Sequence, residues 1–304
     1  MFKRRQSMFC RVPSQFVAAL ESRRLLSGNV QVSLSPSGNL VITGDAADNS
    51  IGINDDGTNI TIQESGGGTV NGQSSVSIPT ASVHKVSVNG NDGNDQIGIF
   101  GLGQTGPATG NLSIDGGSGD DAVFMFFSTI SGTTEFEGGS GNDYYLDASS
   151  THMKQATYEG GSGDDQIQLS DCTMNDTVSV DSGSGNDIVT LDNPNPEVGL
   201  YKKGVQVVTG AGADRVEVIF SKFQAGLSVE TGIGNDVAFF NNTRISGNLR
   251  LNTGGGDDSI SLLFNRFGGE VRVNGGSGND SLTDDHNIFS GSKILKHLEI
   301  VNLV

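Results

Sequence analysis

Short runs of alternating apolar residues recur along this chain, in pairs that flank a polar, glycine-rich cluster. Two residues before each cluster stands Val88, Ile114, Phe136, Tyr158, Val180, Val207, Val229, Leu251 or Val273. Most units have another apolar residue two positions earlier, such as Val86, Leu112, Val178, Leu227 and Val271. Just beyond each cluster comes Ile97, Val123, Tyr145, Ile167, Val189, Val216, Ala238, Ile260 or Leu282. Alternation with period two marks a strand with one buried face, so strands flank every cluster. A later apolar position, at Ile130, Met174, Phe223, Ile245, Phe267 and Phe289, predicts a further short strand or bend.

The clusters set the period. Each ends in an aspartate: Asp95, Asp121, Asp143, Asp165, Asp187, Asp214, Asp236, Asp258 and Asp280. The spacings are 26, 22, 22, 22, 27, 22, 22 and 22 residues, and the two long ones contain insertions at Gly103–Gly110 and Asn193–Gly204. A 22-residue unit is too small to be a domain but fits one coil of a stacked array. The expected fold is all-β: a right-handed parallel β-helix, or β-solenoid, with about 22 residues per coil and one ladder of Gly-Asp loops. Three regions follow. Residues 1–28 form a basic leader, 29–84 a β-rich N-terminal cap, and 85–304 nine repeats with a terminal strand. Within the cap, Gly44–Ile53 reads as a degenerate unit with Asn49 at the aspartate position.

Charge changes the picture. The net charge is −17, yet six of the 18 basic residues fall in the first 24 positions. After Ser27 there remain 12 basic and 34 acidic residues, a balance of −22. Such a body repels nucleic acid and anionic membranes and attracts cations. No stretch is apolar and long enough to span a bilayer. Two cysteines, Cys10 and Cys172, do not make a disulfide framework.

Stacking coils brings the nine aspartates into one column. Carboxylates ~5 Å apart repel by roughly 1 kcal/mol in water and roughly 3 kcal/mol at an effective dielectric of 20. A divalent cation between coils relieves this at neutral pH, and an oxygen-only donor set favours calcium over zinc. The glycines suit a loop that turns its carbonyls inward, because glycine reaches positive φ without penalty. The candidate ligand loops therefore comprise the nine aspartates with Gly117, Gly119, Gly139, Gly141, Gly161, Gly163, Gly183, Gly185, Gly232, Gly234, Gly254, Gly256, Gly276 and Gly278. A plain turn is the alternative, with amide side chains such as Asn94, Asn142 and Asn186 hydrogen-bonding along the stack.

The clusters Gly160–Gln168 ("GGSGDDQIQ") and Gly275–Thr283 ("GGSGNDSLT"), and with them Gly116–Phe124 and Gly138–Leu146, resemble the RTX, or haemolysin-type, calcium-binding nonapeptide. The resemblance covers about residues 86–282. It implies Ca2+ held between adjacent coils by the aspartate carboxylates and loop carbonyls. That family repeats every nine residues, with two ladders per coil, whereas this chain repeats every 22 and has one. Near the N-terminus, Leu20–Ser27 ("LESRRLLS") resembles the LEPR-XLL motif of bacterial exported proteins, with Ser22 in place of its proline. Together these resemblances imply an extracellular or cell-surface calcium-binding protein. Its folding would be coupled to Ca2+, with a structural or adhesive role toward cell-surface or matrix components.

Two rival readings stand beside it. One is a calcium-free structural solenoid. The other is a β-helix polysaccharide lyase or hydrolase, with Tyr201, Lys202 and Lys203, or Arg244, Arg250, Arg266 and Arg272, as its basic groups. The chain has no tryptophan and only four tyrosines, so stacking platforms for sugars are scarce. The four histidines fall at different phases of the repeat, with no nucleophile–base pairing visible. Cys172 reads as a small packing residue.

Overall fold

The alternating runs form strands, and the strands stack in parallel at the repeat period. Thr134 pairs with Ala156, and Tyr144 with Gln166, each 22 residues on. A computed structural model describes residues 28–104, 110–195 and 199–303. The LEPR-XLL-like octet and Cys10 lie outside the described residues, as do parts of both insertions. Among the described residues only Thr80–Ser82 form a helical turn, so no helix is long and apolar enough to cross a membrane.

One coil illustrates the architecture. Thr134–Ser140 belongs to the first sheet, Tyr144–Ala148 to the second, and Thr151–His152 to a short third sheet. The Gly-Asn-Asp cluster makes the corner between the first two sheets. The corner into the third sheet turns on one left-handed residue, Ser149 here, and Phe127, Asp171, Phe220, Asn242, Phe264 or His286 in other coils. Repetition gives two 13-stranded sheets and one 8-stranded sheet, about ten turns in all. The expected extra strand is therefore real, though only two residues long.

The N-terminal region departs from the parallel pattern. β1 (Asn29–Leu34) runs antiparallel to β2 (Asn39–Thr43), which is parallel to the first-sheet strand Lys85–Asp92. On the other sheet, β3 (Ser50–Asp55) is parallel to Gln96–Phe100 but antiparallel to β4 (Asn59–Glu64). β5 (Thr69–Val70) pairs with β1, and β6 (Ser75–Pro79) with β4. Antiparallel strands thus cover the edge that a bare parallel stack would expose.

The interior is a single column of inward-facing side chains. The apolar residues on both sides of every cluster are buried, from Val88 and Ile97 to Val273 and Leu282. Aliphatic residues fill most coils, and aromatic rings enter several, with Phe240 and Phe267 in the later ones. Phe136, Tyr145 and Tyr158 stack with centroids 4.3 and 5.1 Å apart, and Tyr201 lies flat on Phe223 at 4.6 Å. One coil cannot bury its own inner face, so stability accrues between neighbours. Both insertions sit between the second sheet and the following first-sheet strand. The later one lies between Ile188–Asp192 and Leu200–Tyr201, which leaves the strand register intact on either side.

Candidate metal ladder

The cluster folds as it does because the coils stack closely. Gly117, Gly139, Gly161, Gly183, Gly232, Gly254 and Gly276 have φ between 94° and 113°. Gly119, Gly141, Gly163, Gly185, Gly234, Gly256 and Gly278 have φ between 124° and 144°. Space is as restrictive as torsion. A Cβ on Gly139 would lie 2.0 Å from the Gly117 carbonyl oxygen, and one on Gly163 would lie 1.9 Å from that of Gly141. The loops are also bonded to one another. Gly119 donates to the Ser140 carbonyl at 2.7 Å, and Gly141 to that of Ser162 at 2.8 Å. In the first coil Asn91 replaces the earlier glycine and takes the same left-handed turn, at φ 75°.

All nine aspartates turn inward and stack in register, none more than 3% exposed. From Asp121 onward, each Oδ1 accepts the backbone N–H of the aspartate one coil earlier. Asp95 donates to Asp121 at 2.7 Å, Asp143 to Asp165 at 2.8 Å, and Asp258 to Asp280 at 3.0 Å. The column has distinct ends. Asn49 donates to Asp95 at 2.7 Å, and Asp280 donates to Glu299 Oε2 at 2.5 Å. Glu299 thus fills the aspartate position after only 19 residues, a spacing the repeat does not reveal. The Asn or Asp before the aspartate builds a second column on the solvent side, interrupted at Ala213. There Asp120 donates back to Asn94 Oδ1, Asn142 to Asp120 Oδ1, and Asp164 to Asn142 Oδ1. The inner and outer columns run in opposite directions.

The inner column uses half of each carboxylate. Every one of the nine Oδ2 atoms is buried without a hydrogen-bond partner. What faces it depends on the residue five positions before the aspartate, which the sequence reading passed over. Where that residue is glycine, the space is lined by oxygen. The point at which Gly138 would carry Cβ lies 2.5 Å from Asp143 Oδ2 and 2.4 Å from the Gly160 carbonyl oxygen. The corresponding distances at Gly160 are 2.6 Å to Asp165 Oδ2 and 2.5 Å to Ser182 O. In later coils threonine takes this place. The Thr209, Thr231 and Thr253 hydroxyls donate to the carbonyls of Thr231, Thr253 and Gly275 at 3.0, 3.0 and 2.8 Å. The signal for this division was present in the sequence as a Gly-to-Ser/Thr change at constant phase.

Burial raises carboxyls in coils of both kinds, Asp187 beside Ser182 included. Burial pushes the carboxyls of Asp95, Asp143 and Asp187 up to about 6 and those of Asp121 and Asp165 up to about 7. The backbone N–H donated to each opposes this, and neighbouring aspartates add to it. Asp214 and Asp258 are also raised by burial, but Thr209 and Thr253 approach them and offset part of the rise. These residues form a column with one free carboxylate oxygen per coil. Among the described residues, no three His, Cys, Asp or Glu side chains converge as a conventional metal cluster. Every unpaired donor in the column is oxygen, the donor type that hard cations prefer.

A second buried polar group lies in the core. His152 Nε2 is 2.7 Å from Asp147 Oδ2, and its Nδ1 is 2.7 Å from Thr134 Oγ1. Tyr158 donates to the same carboxylate at 3.4 Å, and the Cys172 thiol to the Asp147 carbonyl at 3.3 Å. Sequence phase alone missed this pairing, because His152 takes the third-sheet position that Ile130 and Met174 fill in adjacent coils. Hydroxyl, imidazole and carboxylate are in line, but all three side chains are buried, so no substrate reaches them. Of the basic candidates for a lyase, Tyr201 is a core residue, and Arg272 bonds to Glu270. No protein-family model, curated protein or solved structure matches the chain.

Proposed function

We propose that the chain is an exported calcium-binding β-solenoid with a structural or adhesive role at the cell surface or in an extracellular matrix. The observation that carries this reading is the set of nine buried carboxylate oxygens with no hydrogen-bond partner. A buried ionised carboxylate is costly unless it is paired, and a divalent ion supplies the missing charge. The aspartates would contribute Oδ2, and main-chain oxygens of the loops would complete the shell. Gly90, Gly116, Gly138, Gly160 and Gly275 leave carboxylate and carbonyl oxygens facing a common space, so those coils are the favoured sites. Extracellular sites of this chemistry bind at about 10⁻⁴–10⁻³ M, so the ion would be taken up outside the cell. The RTX-like clusters and the LEPR-XLL-like octet support the same assignment.

Calorimetric titration at pH 8 of protein stripped with EGTA tests the proposal, with circular dichroism recorded before and after. The expected result is saturable heat in the millimolar range with a rise in melting temperature. Unchanged melting and no heat would overturn it. A calcium-free solenoid is then the reading that remains, and one observation favours it. The Oδ1-to-backbone bonds hold the column together without an ion.

A further inference from the structure

The third sheet carries a row of cations on an acidic molecule. Lys222 is in register with Arg244, and Arg244 with Arg266, one coil apart each time. Adjacent strands are ~4.8 Å apart, so like charges are brought close together along the row. Arg215, Arg272 and Lys293 are held in ion pairs elsewhere, whereas Arg244 and Arg266 are exposed and, among the described residues, pair with no carboxylate. They border a cleft of about 190 Å³ that Ile245, Ser246, Phe267, Gly268, Ile288 and Ser290 complete.

Exposed rings stand beside two of these cations, two residues earlier in the chain. Phe220 precedes Lys222, Phe264 precedes Arg266, and His286 stacks on Phe264 at 5.1 Å. Phe220 and Phe264 are 48% and 51% exposed, and both have left-handed backbones at φ 54° and 56°. A bulky residue is unusual in that conformation. Asn242, which suits it, holds the same position in the coil between them. The phenylalanines are thus neither favoured by the backbone nor used in the core. The corner itself is rigid. Thr243 donates to Asn265 Oδ1 at 2.9 Å, and Asn265 donates to Asn287 Oδ1 at 2.7 Å.

We propose that this corner binds a linear acidic polysaccharide lying along the solenoid axis, with its carboxylates on Arg244 and Arg266 and its sugar faces on Phe220 and Phe264. Guanidinium forks match carboxylates in pairs, and a ring face takes the apolar side of a pyranose. The coil rise is close to the length of one sugar in an extended chain, so successive residues meet successive coils. The rest of the molecule is acidic, so an anionic ligand would have to be held locally by this row.

Affinity electrophoresis and calorimetry with oligogalacturonate test this, in calcium and in EGTA, with folding checked by circular dichroism. Neutral dextran, inorganic sulfate and single-stranded DNA are the comparison ligands. The expected result is binding of oligogalacturonate alone. R244Q/R266Q should weaken it about tenfold or more, the equivalent of one good charged contact, and F264A should weaken it several-fold. R250Q/R272Q removes the same charge from the first sheet and should leave affinity within about twofold. The proposal fails if wild type does not bind, if both arginine pairs matter equally, or if dextran binds as well. Sulfate or DNA binding with the same arginine dependence would replace the polysaccharide by a small anion or a nucleic acid. Because the comparison is between variants in each buffer, it stands apart from the calcium reading.

Discussion

Replacing Asp165 by Asn separates the ion from the fold. Asp165 accepts the Asp143 N–H through Oδ1 and donates its own N–H to Asp187, each at 2.8 Å. An asparagine keeps both bonds. Its amide nitrogen then takes the place of the unpaired Oδ2 and faces the Ser182 carbonyl oxygen. The folded-state carboxyl of Asp165 is raised from 3.8 to about 7. Its contribution to stability is therefore fully present below pH 4, is lost as pH rises toward 7, and is absent above it. At 1.36 kcal/mol per unit, ionising it in the fold at pH 8 costs on the order of 2–4 kcal/mol. In EGTA at pH 8, D165N should gain most of that, which for a chain of this size is a melting shift of roughly 5 °C. At pH 4 the gain should nearly vanish. In saturating calcium the order should reverse, because a ligand oxygen is gone. Thermal melts by circular dichroism in four buffers read all of this. A variant less stable than wild type in EGTA at pH 8 would refute the unpaired oxygen. An unchanged calcium response would remove the ion from that coil.

Further outcomes follow from other residues. Without calcium, wild-type stability should fall between about pH 4 and pH 7, as the raised carboxyls of Asp95, Asp121, Asp143, Asp165 and Asp187 ionise; urea midpoints across that range check it. G163A puts a methyl group 1.9 Å from the Gly141 carbonyl oxygen at φ 125°. It should cost about 3 kcal/mol or more and open the stack to proteolysis near that coil. H152L leaves the buried Asp147 carboxylate without its imidazole and should cost about 3–5 kcal/mol by denaturant unfolding. T231V removes the hydroxyl that donates to Thr253 and should cost about 1–2 kcal/mol, measured in the same way.

The repeat architecture was legible because one physical rule generates it. Identical phase requires identical burial, so Val88 to Val273 and Ile97 to Leu282 mark the two long sheets in the sequence itself. The third sheet was half legible. Ile130, Met174 and Phe223 marked it, but His152 and Tyr201 share that face and do not look like core residues in isolation. The aspartate column was foreseen as a row of like charges. Its hydrogen bonds were not, because Oδ1 accepts a main-chain N–H that no side-chain pattern announces. Asparagine could accept the same bond, so the uniform choice of aspartate is not explained by that contact. Glu299 escaped notice for a simpler reason: its longer side chain reaches the aspartate site from a shorter coil.

The antiparallel sense of the two side-chain columns gives the molecule modular length. At one end Asp48 and Asn49 terminate them, and at the other Glu299 closes the inner one, so the closing groups are independent of how many turns lie between. A 22-residue stretch between equivalent aspartates, such as Asp236 and Asp258, meets an aspartate partner above and below. Whole turns can accordingly be removed or duplicated without redesigning either terminus. A gene encoding such a protein can change its reach by unequal recombination alone, a turn at a time.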